Sequence, residues 1–118
     1  MHDIFEEEYQ RLLWSYQTFP EATPQSSLRK AESEIKEIDE IISKPAEHPA
    51  QDLMTVGNPK LTEEYADAVI CLLDSAGRMG ITFREICNAM RAKNAINRHR
   101  VWRKNPDNSY SHIKNEQA

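Results

Sequence analysis

The most apolar helical stretch of the chain is Thr62-Glu63-Glu64-Tyr65-Ala66-Asp67-Ala68-Val69-Ile70-Cys71-Leu72-Leu73-Asp74-Ser75-Ala76. Its apolar residues recur on nearly every side of a helical wheel, which predicts a central helix over about 62–77. Thr62 offers a capping hydroxyl, Glu63 and Glu64 suit the positive end of the helix dipole, and Gly77 ends the pattern. Asp67 stands between Ala66, Ala68, Val69 and Ile70. Burying an ionised carboxylate there costs several kcal/mol unless it is paired or ligates a metal. The helix dipole or an arginine partner would relieve part of that cost, and metal ligation is the reading favoured. Asp74, seven residues later, either shares the same face or lies at the surface near the helix end.

Upstream, periodicity disappears between Lys44 and Leu61, where Pro45, Pro49, Gly57 and Pro59 break any regular element. A connection this long often carries function. Before it, Thr23-Pro24 starts a helix over about 24–43, a capping hydroxyl followed by proline at the first helical position. Leu28, Ala31, Ile35, Ile38 and Ile42 form its apolar stripe. Glu34 and Glu37 are three apart on that helix, so they share a face at roughly 5–6 Å between Cβ atoms; Glu64 and Asp67 do the same on the next. Two such pairs side by side offer up to eight carboxylate oxygens, two from each of four groups, the shell that Mg²⁺ or Mn²⁺ requires. A solvated face accounts equally well for Glu34 and Glu37, and accounts outright for Glu32, Asp39 and Glu40.

The ends complete the frame. Ile4, Phe5, Tyr9, Leu12, Leu13 and Tyr16, with Trp14 beside them, predict a helix over about 2–17, stopped at Phe19-Pro20. After the turn following Gly77, Thr82 and Glu85 make a capping box for a helix over about 82–97, with Phe83, Ile86, Cys87 and Met90 on one face. Residues 98–118 lack periodicity and read as an extended tail, anchored by Val101, Trp102 and Tyr110. The expectation is an all-α chain forming one domain over 1–118, a four-helix core with a C-terminal tail.

Composition narrows the function. Of 118 residues, 39% are apolar and 29% charged, too apolar for general disorder yet modest for a self-sufficient core. Domains of this size bury only about two-thirds of their unfolded surface, so a homo-oligomer is expected. The net charge of −4 is uneven: residues 1–44 carry ten acidic and five basic groups. Residues 84–104 carry seven basic groups against Glu85 alone. Such a strip suits a phosphorylated small molecule, whereas the acidic remainder makes nucleic acid unfavourable. Within it Lys93, Asn94 and Arg98 could bind phosphate oxygens, or simply complement a helix C-terminus. Cys71 and Cys87 read as buried free thiols. No apolar run approaches the ~20 residues of a membrane span and no signal layout opens the chain, so a cytoplasmic location is expected.

The chain has no glycine-rich phosphate cradle, no Ser-x-x-Lys, no Gly-x-Ser-x-Gly and no His-Glu-x-x-His. Neither acidic pair includes the Glu-x-x-His step of a di-iron bundle, since His48 lies in the connection and His99 and His112 in the tail. Oxygen-only ligation therefore favours magnesium or manganese, and the nucleophile is sought as water on a metal.

Ser33-Glu34-x-x-Glu37 followed by Glu64-x-x-Asp67 resembles the MazG-like all-α nucleoside triphosphate pyrophosphohydrolases, in which a Glu-Glu-x-x-Glu segment precedes a Glu-x-x-Asp segment. LLWSYQTFP, LRKAESEIKEI, LLDSAGRMGI and the Lys93-Asn94 to Arg98 step extend the resemblance over nearly the whole chain, and VWRKNPDNSYSHIK looks like small phage-encoded members. Ser33 departs from the pattern, standing where the family has its leading glutamate, with Glu32 adjacent. The resemblance implies a MazG-like bundle that hydrolyses a purine nucleotide such as dGTP or dATP between the α and β phosphates. It implies Glu34, Glu37, Glu64 and Asp67 as catalytic ligands of Mg²⁺ or Mn²⁺, and Lys30, Lys93, Asn94 and Arg98 as phosphate ligands. It also implies Trp14 or Phe19 stacked on the base, a dimer or tetramer, and the host cytoplasm if the protein is phage-encoded. The competing reading is a noncatalytic helical interaction or nucleic-acid-binding module using the strip from Arg84 to Lys104.

Overall fold

The computed structural model describes residues 3–44 and 58–114, so most of the expected connection after Lys44 lies outside the described residues. Four helices and a short hairpin follow in order: α1 (Ile4–Thr18), α2 (Pro24–Ile42), α3 (Pro59–Arg78), α4 (Phe83–Arg98), β1 (Trp102–Lys104) and β2 (Tyr110–His112). The fold class is all-α, as expected. The chain divides into two compact units, Met1–Phe83 and Arg84–Ala118.

In the first unit α2 and α3 form the principal helix pair, and α1 packs on α3. Helix α2 begins as the sequence predicts: Thr23 Oγ1 accepts from Ser26 N at 3.0 Å and Ser26 Oγ accepts from Thr23 N at 2.8 Å, satisfying two end donors reciprocally. Helix α3 starts earlier than expected. Asn58 is its cap, accepting from Lys60 N at 2.9 Å and Leu61 N at 3.2 Å, with Pro59 at the first helical position. Thr62 lies inside the helix, its hydroxyl donating to Asn58 O at 2.9 Å.

The other end of α3 also differs. The helix runs through Gly77 to Arg78, and the left-handed position is Gly80 at φ 81°. Gly77 serves packing instead: a Cβ there would stand 2.6 Å from Leu12 Cδ1, so its absence lets α1 approach α3. Tyr16 OH donates to Gly77 O at 2.9 Å in the same place. Phe5 and Phe83 add a tilted ring pair at 5.4 Å.

The core of this unit is thin. Ala31, Ile38 and Ala68 are the buried hydrophobic residues among those described, while Tyr65, Val69, Ile70 and Leu72 on α3 are exposed. The apolar surround of α3 read from sequence is thus surface in the single chain. Cys71 and Cys87 are free but only partly buried, and burial pushes the Cys71 thiol up, aided by Glu34.

In the second unit the tail carries order that the sequence pattern did not announce. Trp102 pairs with His112, Arg103 with Ser111 and Lys104 with Tyr110 in an antiparallel hairpin. Asn108 turns the chain at φ 73°, and Asp107 accepts from Ser109 N at 3.0 Å. Trp102 Nε1 donates to Asn97 O at 3.0 Å, tying the hairpin to the end of α4. Among the described residues no helix is long and apolar enough to cross a membrane.

Candidate metal centre

Glu34 and Glu37 lie one turn apart on α2, facing Glu64 on α3. One carboxylate oxygen from each lies within 4.8 Å of the others. Glu34 is buried, Glu64 partly buried and Glu37 exposed. Among the described residues Glu64 Oε1 is buried without a hydrogen-bond partner, a costly state for a carboxylate oxygen. The charge of Glu34, then that of Glu64, holds the Glu37 carboxyl above its ordinary range. Lys30, one turn before Glu34, sends Nζ to within 3.3 Å of its Oε1, and this contact raises the lysine above its usual range. One lysine against three acids leaves the cluster net negative. Its donors are oxygen only, they converge, and one is unsatisfied, which fits a hard divalent cation.

Asp67 is placed differently from its sequence reading. It is exposed on α3, and the converging set of Glu34, Glu37 and Glu64 does not include it. The desolvation argument that favoured Asp67 therefore transfers to Glu34 and Glu64. Ser33, where the resembled family has a glutamate, is exposed, as is Glu32.

The buried acid of α3 is Asp74, and it is fully answered by the chain. Its Oδ1 accepts from Arg11 Nη1 at 3.1 Å; its Oδ2 accepts from Ser27 Oγ at 2.7 Å and Arg78 Nε at 2.8 Å. Burial alone would raise its pKa, but hydrogen bonds from Arg78, Ser15, Ser27 and Arg11 hold it well below the usual carboxylate range. Arg78 continues the network to Ser15 Oγ at 2.9 Å and Ala22 O at 3.2 Å, with its guanidinium 5.1 Å from the Tyr16 ring centre. Local signals for this network are the Asp74 to Arg78 spacing of four and the Glu8 to Arg11 spacing of three, each of which places its two residues on one helix face.

Beside both clusters lies an apolar pocket of about 400 Å³, whose lining includes Trp14, Phe19, Ser27, Lys30, Cys71 and Asp74. Trp14 and Phe19 meet edge to face at 5.4 Å. The two aromatic candidates and Lys30 are thus brought together, and Lys30 bridges the pocket to Glu34. Lys93, Asn94 and Arg98 are exposed on α4, in the second unit.

Comparison with known proteins agrees with this picture. A family described as dATP/dGTP pyrophosphohydrolase matches residues 43–118. A dATP/dGTP diphosphohydrolase of Salmonella phage PMBT28 is 31% identical over 100 residues, covering 85% of this chain. The chain spans only 28% of that relative's length. Among solved structures, a cyanophage S-2L MazG-like pyrophosphohydrolase, bound to dGDP and three catalytic Mn²⁺ ions per active site, superposes with a TM-score of 0.65. It is 26% identical, and the match covers 97% of this chain and all of that one.

Proposed function

The chain belongs to the dATP/dGTP pyrophosphohydrolase family, and we propose that it hydrolyses a purine deoxynucleoside triphosphate between the α and β phosphates, yielding the monophosphate and pyrophosphate. The observation that carries the proposal is the convergence of Glu34, Glu37 and Glu64 around an unpaired buried oxygen. These three, with Asp67 one turn beyond Glu64, would hold Mg²⁺ or Mn²⁺. When bound, the ions supply an activated water and neutralise charge on the phosphate oxygens.

The chain's own groups have separate tasks. Glu34 and Glu64, anchored on two packed helices, fix the spacing of the ligand oxygens. Lys30 has its side chain 62% exposed and next to Glu34, so it can reach a phosphate oxygen at the mouth of the pocket. Trp14 and Phe19 offer an apolar enclosure in which a purine can stack. Lys93, Asn94 and Arg98 supply exposed donors suited to phosphate oxygens. A homo-oligomer, dimer or tetramer, is part of the proposal, because Tyr65, Val69, Ile70 and Leu72 leave an apolar surface that a second copy would cover.

The test is incubation of the full chain with Mn²⁺ or Mg²⁺ and a panel of nucleoside triphosphates. Release of monophosphate with pyrophosphate is expected, with dGTP and dATP preferred. Release of orthophosphate would refute cleavage between the α and β phosphates.

A further inference from the structure

The pocket beside the metal cluster has a polar wall that the proposed chemistry does not use. Arg11 lines it from α1, and its guanidinium is held from two sides. Glu8 takes Nε at 2.7 Å and Nη2 at 2.8 Å, while Asp74 takes Nη1 at 3.1 Å. A guanidinium has five N–H donors. Among the described residues three are engaged, which leaves one on each terminal nitrogen. The Arg11 side chain is only 16% exposed, so those donors are shielded from bulk water, and the double clamp prevents the group from swinging aside. Asp74 in turn spends its oxygens on Arg11, Ser27 and Arg78. The wall therefore presents donors more than acceptors.

Resting on the reading of Trp14 and Phe19 as the base enclosure, we infer that Arg11 is a specificity-determining residue that selects guanine over adenine. Guanine presents two adjacent acceptors, O6 and N7, which match paired guanidinium donors. Adenine offers N7 alone and sets its N6 amino donor against the arginine. Glu8 and Asp74 act as positioning residues that hold the fork in place before the base arrives, which reduces the ordering cost of binding.

The experiment measures kcat/KM of the full chain with Mn²⁺ for dGTP, dATP and 7-deaza-dGTP, then repeats it with Arg11→Lys and Glu8→Gln. The unaltered protein should favour dGTP over dATP by about tenfold or more, the scale of one good bidentate contact. It should lose most of that advantage on 7-deaza-dGTP, which lacks N7; this arm needs no variant and so no assumption about folding. Arg11→Lys, which keeps the charge but not the fork, should bring the dGTP to dATP ratio near one. Glu8→Gln, which loosens one clamp, should give an intermediate ratio. Equal or reversed preference in the unaltered protein, indifference to the N7 replacement, or an unchanged ratio in a folded Arg11→Lys protein would each overturn the inference. Turnover without such a preference leaves the pyrophosphohydrolase reading standing, whereas absence of turnover on every nucleotide removes both.

Discussion

Two acidic clusters occupy the same pair of helices and meet opposite fates. At one end Asp74 of α3 faces Ser27 of α2 and is neutralised by Arg11 and Arg78. Ten residues earlier along α3, about 15 Å by helical rise, Glu64 faces Glu34 and Glu37 of α2 with one lysine for three acids. The first cluster is closed: each oxygen of Asp74 has a donor within the chain. The second is open: Glu64 Oε1 has none among the described residues, and Glu37 is held above its ordinary range by its neighbours. Carboxylates answered by arginines hold a fold together, whereas carboxylates left facing one another are provision for something that arrives later. Burial alone does not separate the two, since Glu34 and Asp74 are about equally buried, at 7% and 8% exposure.

Breaking the closed cluster should have the largest effect. Asp74→Ala leaves Arg78 without its carboxylate and Arg11 with Glu8 alone, and loss of one partner of a buried pair costs about 3–5 kcal/mol. That is a large fraction of the roughly 5–15 kcal/mol that stabilises a domain. Urea unfolding of the metal-free protein should show the loss as a lower midpoint. A midpoint within error of the parent would mean that the network is ornamental.

Breaking the open cluster should do the reverse. Glu64→Gln removes a charge whose buried oxygen has no partner among the described residues, so the metal-free protein should be as stable as the parent or more so. Its turnover should fall by more than the ~100-fold that loss of an outer-sphere partner costs a metal site. The parent should gain about 2.7 kcal/mol when Mn²⁺ is present at a hundred times its dissociation constant, seen as a rise in Tm. Glu64→Gln should lose that response, while Asp74→Asn should keep it on a lowered baseline. A variant with both responses unchanged would detach metal binding from Glu64.

Acid separates the clusters by sign. Asp74 has a depressed pKa in the folded state, so its stabilisation is present above the ordinary carboxylate value and is lost as pH falls below about 5 and through the folded pKa. Glu37 has a raised one, so in the metal-free protein its ionisation opposes folding, and the penalty grows as pH rises through its folded pKa. Asp74→Asn should flatten the acid limb of stability against pH, and Glu37→Gln should flatten the slope above it. Metal affinity should fall on acidification, because the proton competes for the Glu37 carboxylate.

The order of the helices and the pairing of Glu34 with Glu37 could be read from spacing alone, because helix periodicity is a local property. What escaped was spatial. Asp67 looked buried because its sequence neighbours are apolar, yet Ala66, Val69 and Ile70 are exposed in the thin single chain, and Ala68 alone of the four is buried. Arg11 and Asp74 are 63 residues apart, and no local pattern announces their contact. The hairpin strands are three residues each, too short to show a period of two, although Asn105-Pro106-Asp107-Asn108 is a turn signal that could have marked them.

The smallest expected effect lies outside both clusters. Ser33 stands where the resembled family has a leading glutamate, and Glu32 beside it is the obvious substitute. The structure gives Glu32 another occupation: it pairs with Arg29 at 3.0 Å, both side chains about two-thirds exposed, at 65% and 66%. Exposed pairs contribute at most about 1 kcal/mol, and usually less. Glu32→Gln should therefore shift stability by under ~0.5 kcal/mol and leave turnover within about twofold of the parent. A larger fall in turnover, with the Mn²⁺ response of Tm intact, would place Glu32 in the chemistry in spite of its exposure. The open cluster would then extend two residues further along α2 than the converging oxygens of Glu34, Glu37 and Glu64 indicate.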